Sequence, residues 1–320
     1  MKYFISIILT IILFSCDAPR ENPLDPVGSN YKFYSIQGFV KTQTGPPQPV
    51  SNAVVTWSAE SRITYTNEQG FFRIDNVNPV NNYLLVEKTG FLKDSSLITW
   101  GSRNVNVEYF LNSIPELMEF NIYSEYENNY TLKPRTRVFF EAVVNDREGD
   151  LDSLFIANND LSIRKKLERR TFSLFNANFS EISLGITSLE ELIGKEFHLI
   201  ALDKSGIEYS IGNSNLKRVI SQEIEFISPA TLIDTVSVQP TLRWRRYQPG
   251  FKFNYTIKVF ENLTPPELRW EQTGVSSDSI AIQVKTPLQT NINQGYYWVI
   301  WCVDEFNNKG SSKPASFRVR

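Results

Sequence analysis

The chain has 320 residues with 33 basic and 35 acidic side chains, a net charge of −2. So even a balance gives a nucleic-acid surface no electrostatic support. Aromatic residues are abundant (22 Phe, 14 Tyr, 6 Trp) and cysteines number two, which excludes a disulfide framework and calls for packed, β-rich cores.

Residues 1–15 read as a secretory leader. Lys2 supplies the positive start, and Tyr3 to Phe14 is apolar except for Ser6 and Thr10. The run is shorter than the ~20 apolar residues that a spanning helix needs. Its close, Leu13-Phe14-Ser15-Cys16, resembles the lipobox of bacterial lipoproteins, with an aliphatic residue three places before the cysteine and a small one just before it. The resemblance implies a mature protein that begins at Cys16, is acylated there and is held to a membrane. Two or more acyl chains anchor stably where one does not. Residues 16–30 contain Pro19, Pro23 and Pro26 among acids and read as a membrane-proximal spacer. The tract Asn22-Pro23-Leu24-Asp25-Pro26 is similar to lipoproteins of the Bacteroidota, whereas Asp17 resembles an enterobacterial inner-membrane signal. The outer membrane is favoured, with a periplasmic or a surface face both open.

From Tyr34 onward, short alternating apolar runs are punctuated by Gly, Pro and Asn, the pattern of an all-β chain. Three tandem β-sandwich domains are expected, at 31–112, 113–226 and 227–320. In the first, a strand at Ile36-Gln37-Gly38-Phe39-Val40 precedes one in which Ala53, Val55 and Trp57 alternate on one face. A turn ending at Gly70 leads into Phe71-Phe72-Arg73-Ile74, and Tyr83 to Lys88 leads to Gly90-Phe91. This order resembles the carboxypeptidase regulatory-like, or transthyretin-like, domain, which implies a small sandwich used as a spacer or interaction module.

In the second, a strand through Phe139, Glu141 and Val143 enters the acidic stretch from Asn145 to Asp152. The segment resembles a bacterial immunoglobulin-like domain with that stretch as an interstrand loop. Its one helical signal is Ser188 capping Leu189 to Ile193, with Glu191 at the capping-box position and Gly194 as the stop. The run from Arg164 to Arg170 reads as a solvated strand face. In the third, Thr241-Leu242-Arg243-Trp244, Tyr255 to Val259, Tyr296 to Asp304 and Ala315-Ser316-Phe317 resemble the strands of a fibronectin type III domain, including its core tryptophan and tyrosine corner. Period-two alternation puts Tyr296, Trp298, Ile300 and Cys302 on one face; in that family it is the core face, so Cys302 is expected as a buried, inert thiol.

The candidate chemistry is sparse. Asp146, Glu148, Asp150 and Asp152 place four carboxylates at alternate positions and are a candidate Ca2+ site, the alternative being a solvated turn in which the acids cap backbone amides. His198, the single histidine, lies between Phe197 and Leu199 and reads as structural. No nucleophile motif, zinc motif, phosphate loop or Cys-x-x-Cys occurs, so no catalytic residue is assigned and the chain is expected not to be an enzyme. Trp57, Trp244 and Trp298 are expected in cores, and Trp100, Trp270 and Trp301 are the candidates for stacking against a sugar. Four Asn-x-Ser/Thr sequons begin at Asn129, Asn178, Asn254 and Asn262. The expected role is a non-catalytic envelope scaffold or binding module for a protein or glycan partner. The alternatives are a carbohydrate-capturing surface lipoprotein of an uptake system and an accessory subunit of a hydrolytic complex.

Overall fold

The computed structural model describes residues 34–43, 45–129, 131–290 and 295–320. The leader, Cys16 and the spacer lie outside the described residues. The regular secondary structure is almost entirely strand, and the chain divides after Ser113 into two compact units. Among the described residues no helix is long and apolar enough to cross a membrane.

The first unit is a sandwich of two sheets. Strands β1 (Ser35–Thr42), β4 (Phe71–Asp75) and β7 (Asn104–Leu111) form one, in the order β4-β1-β7 with β1 and β7 parallel. Strands β2 (Val54–Trp57), β3 (Arg62–Tyr65), β5 (Asn82–Glu87) and β6 (Asp94–Ile98) form the other, in the order β3-β2-β5-β6. Alternate residues of both sheets meet in the middle: Ile36, Val40, Val55, Trp57, Phe72 and Leu84 are buried to 1% exposure or less. Their intervening neighbours face outward, which is the alternation read in Ala53, Val55 and Trp57.

In the second unit, β8 (Glu116–Glu127), β9 (Arg135–Asn145), β10 (Leu151–Asn158), β11 (Ile163–Arg169), β12 (Leu174–Phe179), β13 (Glu196–Asp203) and β14 (Glu208–Asn215) run in the order β14-β13-β10-β11-β12-β9-β8. Phe140 packs against Phe179 and Phe197 in their core, at 6.0 and 5.1 Å between ring centroids. The run from Arg164 lies mostly on β11, where Ile163 and Leu167 point inward, Arg164, Lys166 and Glu168 face outward, and half-buried Lys165 shares the inward side opposite Ile156. This is an interior strand of the sheet, paired on both sides, and Arg164 stacks on Phe155 while bonding Glu208 at 2.5 Å. Ser188 caps as expected, though the helix is a single 3-10 turn, Leu189–Leu192, preceded by a short helix α1 (Glu181–Leu184) that the sequence pattern did not signal.

The remaining strands are β15 (Phe226–Ser228), β16 (Thr235–Val236), β17 (Thr241–Trp244), β18 (Phe253–Glu261), β19 (Glu267–Ser276), β20 (Ala281–Gln283), β21 (Tyr296–Asp304), β22 (Lys309–Ser311) and β23 (Ala315–Val319). Sheet β15-β17-β20 faces a sheet built on β19-β18-β21, a two-sheet β-sandwich. Trp244, Tyr255, Trp298 and Phe317 fill the space between them, and Trp298 Nε1 donates to the Pro229 carbonyl at 2.9 Å. The Tyr296 hydroxyl donates to the Gln289 carbonyl at 3.2 Å, forming the corner read in the sequence.

Residues on both sides of position 226 belong to one compact unit, because β22 pairs in parallel with β8 and joins both sets of strands into one sheet. Asn308 seals that seam. Its Oδ1 accepts from the Ser124 amide at 2.9 Å, and its Nδ2 donates to Asp304 Oδ2 at 3.0 Å. Ile220 and Ile224 also enter the core of this sandwich from ahead of position 226. The Ile220 backbone passes so close to Gly310 that a Cβ there would stand 2.1 Å from its carbonyl oxygen, so only glycine fits.

Candidate functional site

The acidic loop joins β9 to β10, and Asp146 is committed to the loop's own backbone. Asp146 accepts from the amides of Glu148 at 3.3 Å and Leu151 at 2.8 Å, and Gly149 turns the chain at φ +70°. Asp203, at the end of β13, accepts from the Ser205 and Ile207 amides, both at 2.9 Å, and from the Tyr209 hydroxyl at 2.7 Å. Asp152 accepts from Ser153. Among the described residues no group of three or more His, Cys, Asp or Glu side chains is arranged to hold a metal ion. Asp146, Glu148, Asp150 and Asp152, the candidate Ca2+ ligands, are not brought together as such a group. The turn's amides take the Asp146 lone pairs that an ion would need. Asp150 stands out: it is 8% exposed, its Oδ1 has no hydrogen-bond partner among the described residues, and burial pushes its pKa up to about 6, with Asp146, Glu148 and Asp203 adding to the rise.

Cys302 is fully buried, and burial pushes its thiol up to about 12, as the alternation implied. His198 lies on β13 between buried Phe197 and Leu199, so its own side chain faces outward, 3.4 Å from Glu196.

The three tryptophan candidates part company. Trp100 packs edge-on against Trp57 and Tyr34, at 6.1 and 5.4 Å, and its Nε1 donates to the Val80 carbonyl at 3.0 Å. Trp270 is buried, at 8% exposure, which corrects its placement as a surface ring. It lies opposite Val259 on β18, an inward position, because a bulge between Val259 and Phe260 shifts the register of β19. Trp301 alone opens onto a cavity.

That cavity is a groove of about 820 Å³ on the outer face of β18 and β21. The odd-numbered residues of β21 point outward as Tyr296, Trp298 and Ile300 point in, which sets Tyr297, Val299 and Trp301 along the floor. Phe260 lies opposite Tyr297 across the strands, and the two rings stack at 5.2 Å and 16°. The segment after β8 forms one wall, through Asn128, Asn129 and Leu132. It is held by the Asn128 amide donating to Ser311 Oγ at 2.8 Å. Asn262 and Pro266, between β18 and β19, form the other wall. Both charges at the floor and rim are paired, Lys258 with Glu271 at 3.2 Å and Glu127 with Arg135 at 3.4 Å. Burial raises the Tyr297 hydroxyl, and Glu127 adds to it. The result is an aromatic floor with amide and hydroxyl walls, able to seat a ligand that has one apolar face and a polar edge.

Phe260 and Tyr297 escaped the sequence reading, although Tyr297 shares the parity of Trp301. The signal was there in the outward half of an alternation read only for its inward half.

No family model matches the chain, and no curated protein matches it. Among solved structures it is similar to chicken CNTN1 FN1-FN3 domains, at 8% identity over 84% of this chain and 90% of that one, with a TM-score of 0.35. It is similar to fibronectin(III)-like modules of Clostridium thermocellum CbhA, at 10% identity over 64% and 93%, with a TM-score of 0.30. A third is SGBP-B of the Bacteroides ovatus mixed-linkage glucan utilization locus, solved with a mixed-linkage heptasaccharide, at 10% identity over 94% and 69%, with a TM-score of 0.22.

Proposed function

We propose that this chain is a non-catalytic glycan-binding module, tethered to the bacterial envelope by acyl chains on Cys16, with the groove over Phe260, Tyr297 and Trp301 as its binding site. The observation that carries the reading is the make-up of that groove: three aromatic side chains on its floor, amides and hydroxyls on its walls, and each charged group already paired. A pyranose has a face of C–H bonds and a rim of hydroxyls. An aromatic ring, with its negative face, takes the first, and Asn and Ser side chains take the second. A protein partner of ordinary affinity would need a wider contact, since stable protein interfaces bury about 800 Å² on each side.

The test is electrophoresis of the purified protein through native gels, each holding one polysaccharide: mixed-linkage β-glucan, xylan, galactomannan, amylopectin, dextran or alginate. Retardation in at least one gel, abolished by Trp301→Ala, is the expected result. Unretarded migration in all six gels overturns the glycan reading. Retardation that Trp301→Ala leaves intact overturns the groove as its site.

A further inference from the structure

The sheet face that floors the groove does not end at its rim. β21 pairs with β22 (Trp301 opposite Ser311, Val303 opposite Lys309), and β22 pairs in turn with β8 (Lys309 opposite Glu125). Parity then puts Tyr123 of β8 on the same face as Trp301, and its cross-strand neighbour Phe139 of β9 beside it. These two rings make a second platform, nearly parallel at 5.0 Å and 5°, and both are only partly buried. Beside them opens a second hollow of about 380 Å³ whose lining includes Asn121, Glu141, Ser214 and Asn307. Neither Tyr123 nor Phe139 has a part in the groove itself.

Spacing decides whether one ligand can reach both. Tyr297 to Trp301 is four residues of one strand, about 13 Å. From Trp301 to Tyr123 the offset is another four residues, about 13 Å, and two strand spacings, about 10 Å. The three positions therefore mark a diagonal of about 28 Å across one sheet. The strip between them carries Lys309 and Glu125, directly opposite in register and opposite in sign, with Lys309 Nζ 5.8 Å from the Tyr123 ring. Around the second hollow Glu119, Glu141 and Glu305 outnumber Lys217, which disfavours a polyanion.

We infer that the ligand is an uncharged polysaccharide chain lying across both platforms, with Tyr123 and Phe139 as a second subsite. The inference rests on the glycan reading of the groove and extends it from a pocket to a track. Two linked contacts convert the second into an intramolecular event, so a polymer gains affinity that a short fragment cannot.

The experiment takes the same six gels and adds calorimetric titration with the polysaccharide that retards, and with its disaccharide and longer fragments. Tyr123→Thr keeps a β-former at a partly exposed site, and Phe139→Thr is the second variant, each verified by an unchanged thermal transition. The expected result is retardation by a neutral polysaccharide, with Tyr123→Thr weakening the polymer about tenfold and leaving the disaccharide unchanged, while Trp301→Ala weakens both. Polymer affinity that neither threonine variant alters overturns the second subsite and leaves the groove standing. Retardation by alginate alone overturns the uncharged class. Absence of retardation in every gel defeats the underlying glycan reading and the track with it.

Discussion

Replacing Asp150 by Asn removes a charge that the folded chain holds at a cost. Asp150 is 8% exposed with Oδ1 unpartnered among the described residues, and burial, followed by Asp146, Glu148 and Asp203, lifts its pKa from 3.8 to about 6. A carboxyl whose folded pKa lies above its unfolded one binds its proton more tightly in the native state. That contribution is fully present below about pH 4 and is lost as pH rises through 6. The gap of about two pK units corresponds to about 3 kcal/mol at most, and solvent screening near the surface brings it to about 1–2 kcal/mol. Asn is neutral at every pH, so Asp150→Asn is expected to match the wild type near pH 4 and to exceed it by that amount near pH 7.5. For a unit of this size the gain is about 2–8 °C in Tm. Thermal unfolding followed by circular dichroism from about pH 4 to 8 measures it. A difference that does not change with pH, or an Asn variant less stable near pH 7.5, refutes the reasoning. Millimolar Ca2+ is expected to leave the wild-type transition where it is, because Asp146, Asp152 and Asp203 already accept from amides and hydroxyls; a rise of several degrees restores the ion.

Cys302 is expected to resist thiol reagents in the native protein and to react fully in denaturant, as full burial and a pKa of about 12 require; rapid native labelling contradicts this. Asn308→Ala removes the acceptor of the buried Ser124 amide and a donor to Asp304, and is expected to cost about 2–4 kcal/mol in urea unfolding. A loss below about 0.5 kcal/mol shows that the seam does not depend on it. Cys16→Ser is expected to move the protein from the membrane fraction to the soluble one, and continued sedimentation with membranes refutes lipid anchoring at that residue.

Much of the architecture was legible because strand alternation is a local signal. Trp57 falls in a core with Ala53 and Val55, and Trp298 with Tyr296, Ile300 and Cys302, as period two requires. Trp270 was misplaced because a bulge resets parity, and a bulge leaves no mark in composition. The acidic stretch offered two chemistries from one spacing, and only the positions of the Glu148 and Leu151 amides show that Asp146 serves the turn. The groove was half visible, in Trp301. Its wall comes from the segment after β8, brought to β21 by contacts across 184 residues of sequence, as between Ser124 and Asn308. A pairing of that separation is set by tertiary packing and has no short-range signature.

The seam between β8 and β22 also bears on how the polypeptide is made. Delivery runs from the N-terminus, so β8 and β9 emerge long before Lys309, Gly310 and Ser311 arrive to cover the β8 edge. Until then that edge presents open amides and carbonyls to any passing strand, a template for aggregation. The strand that covers this edge, β22, is three residues long and is followed in the chain only by β23 among the strands of the joint sheet.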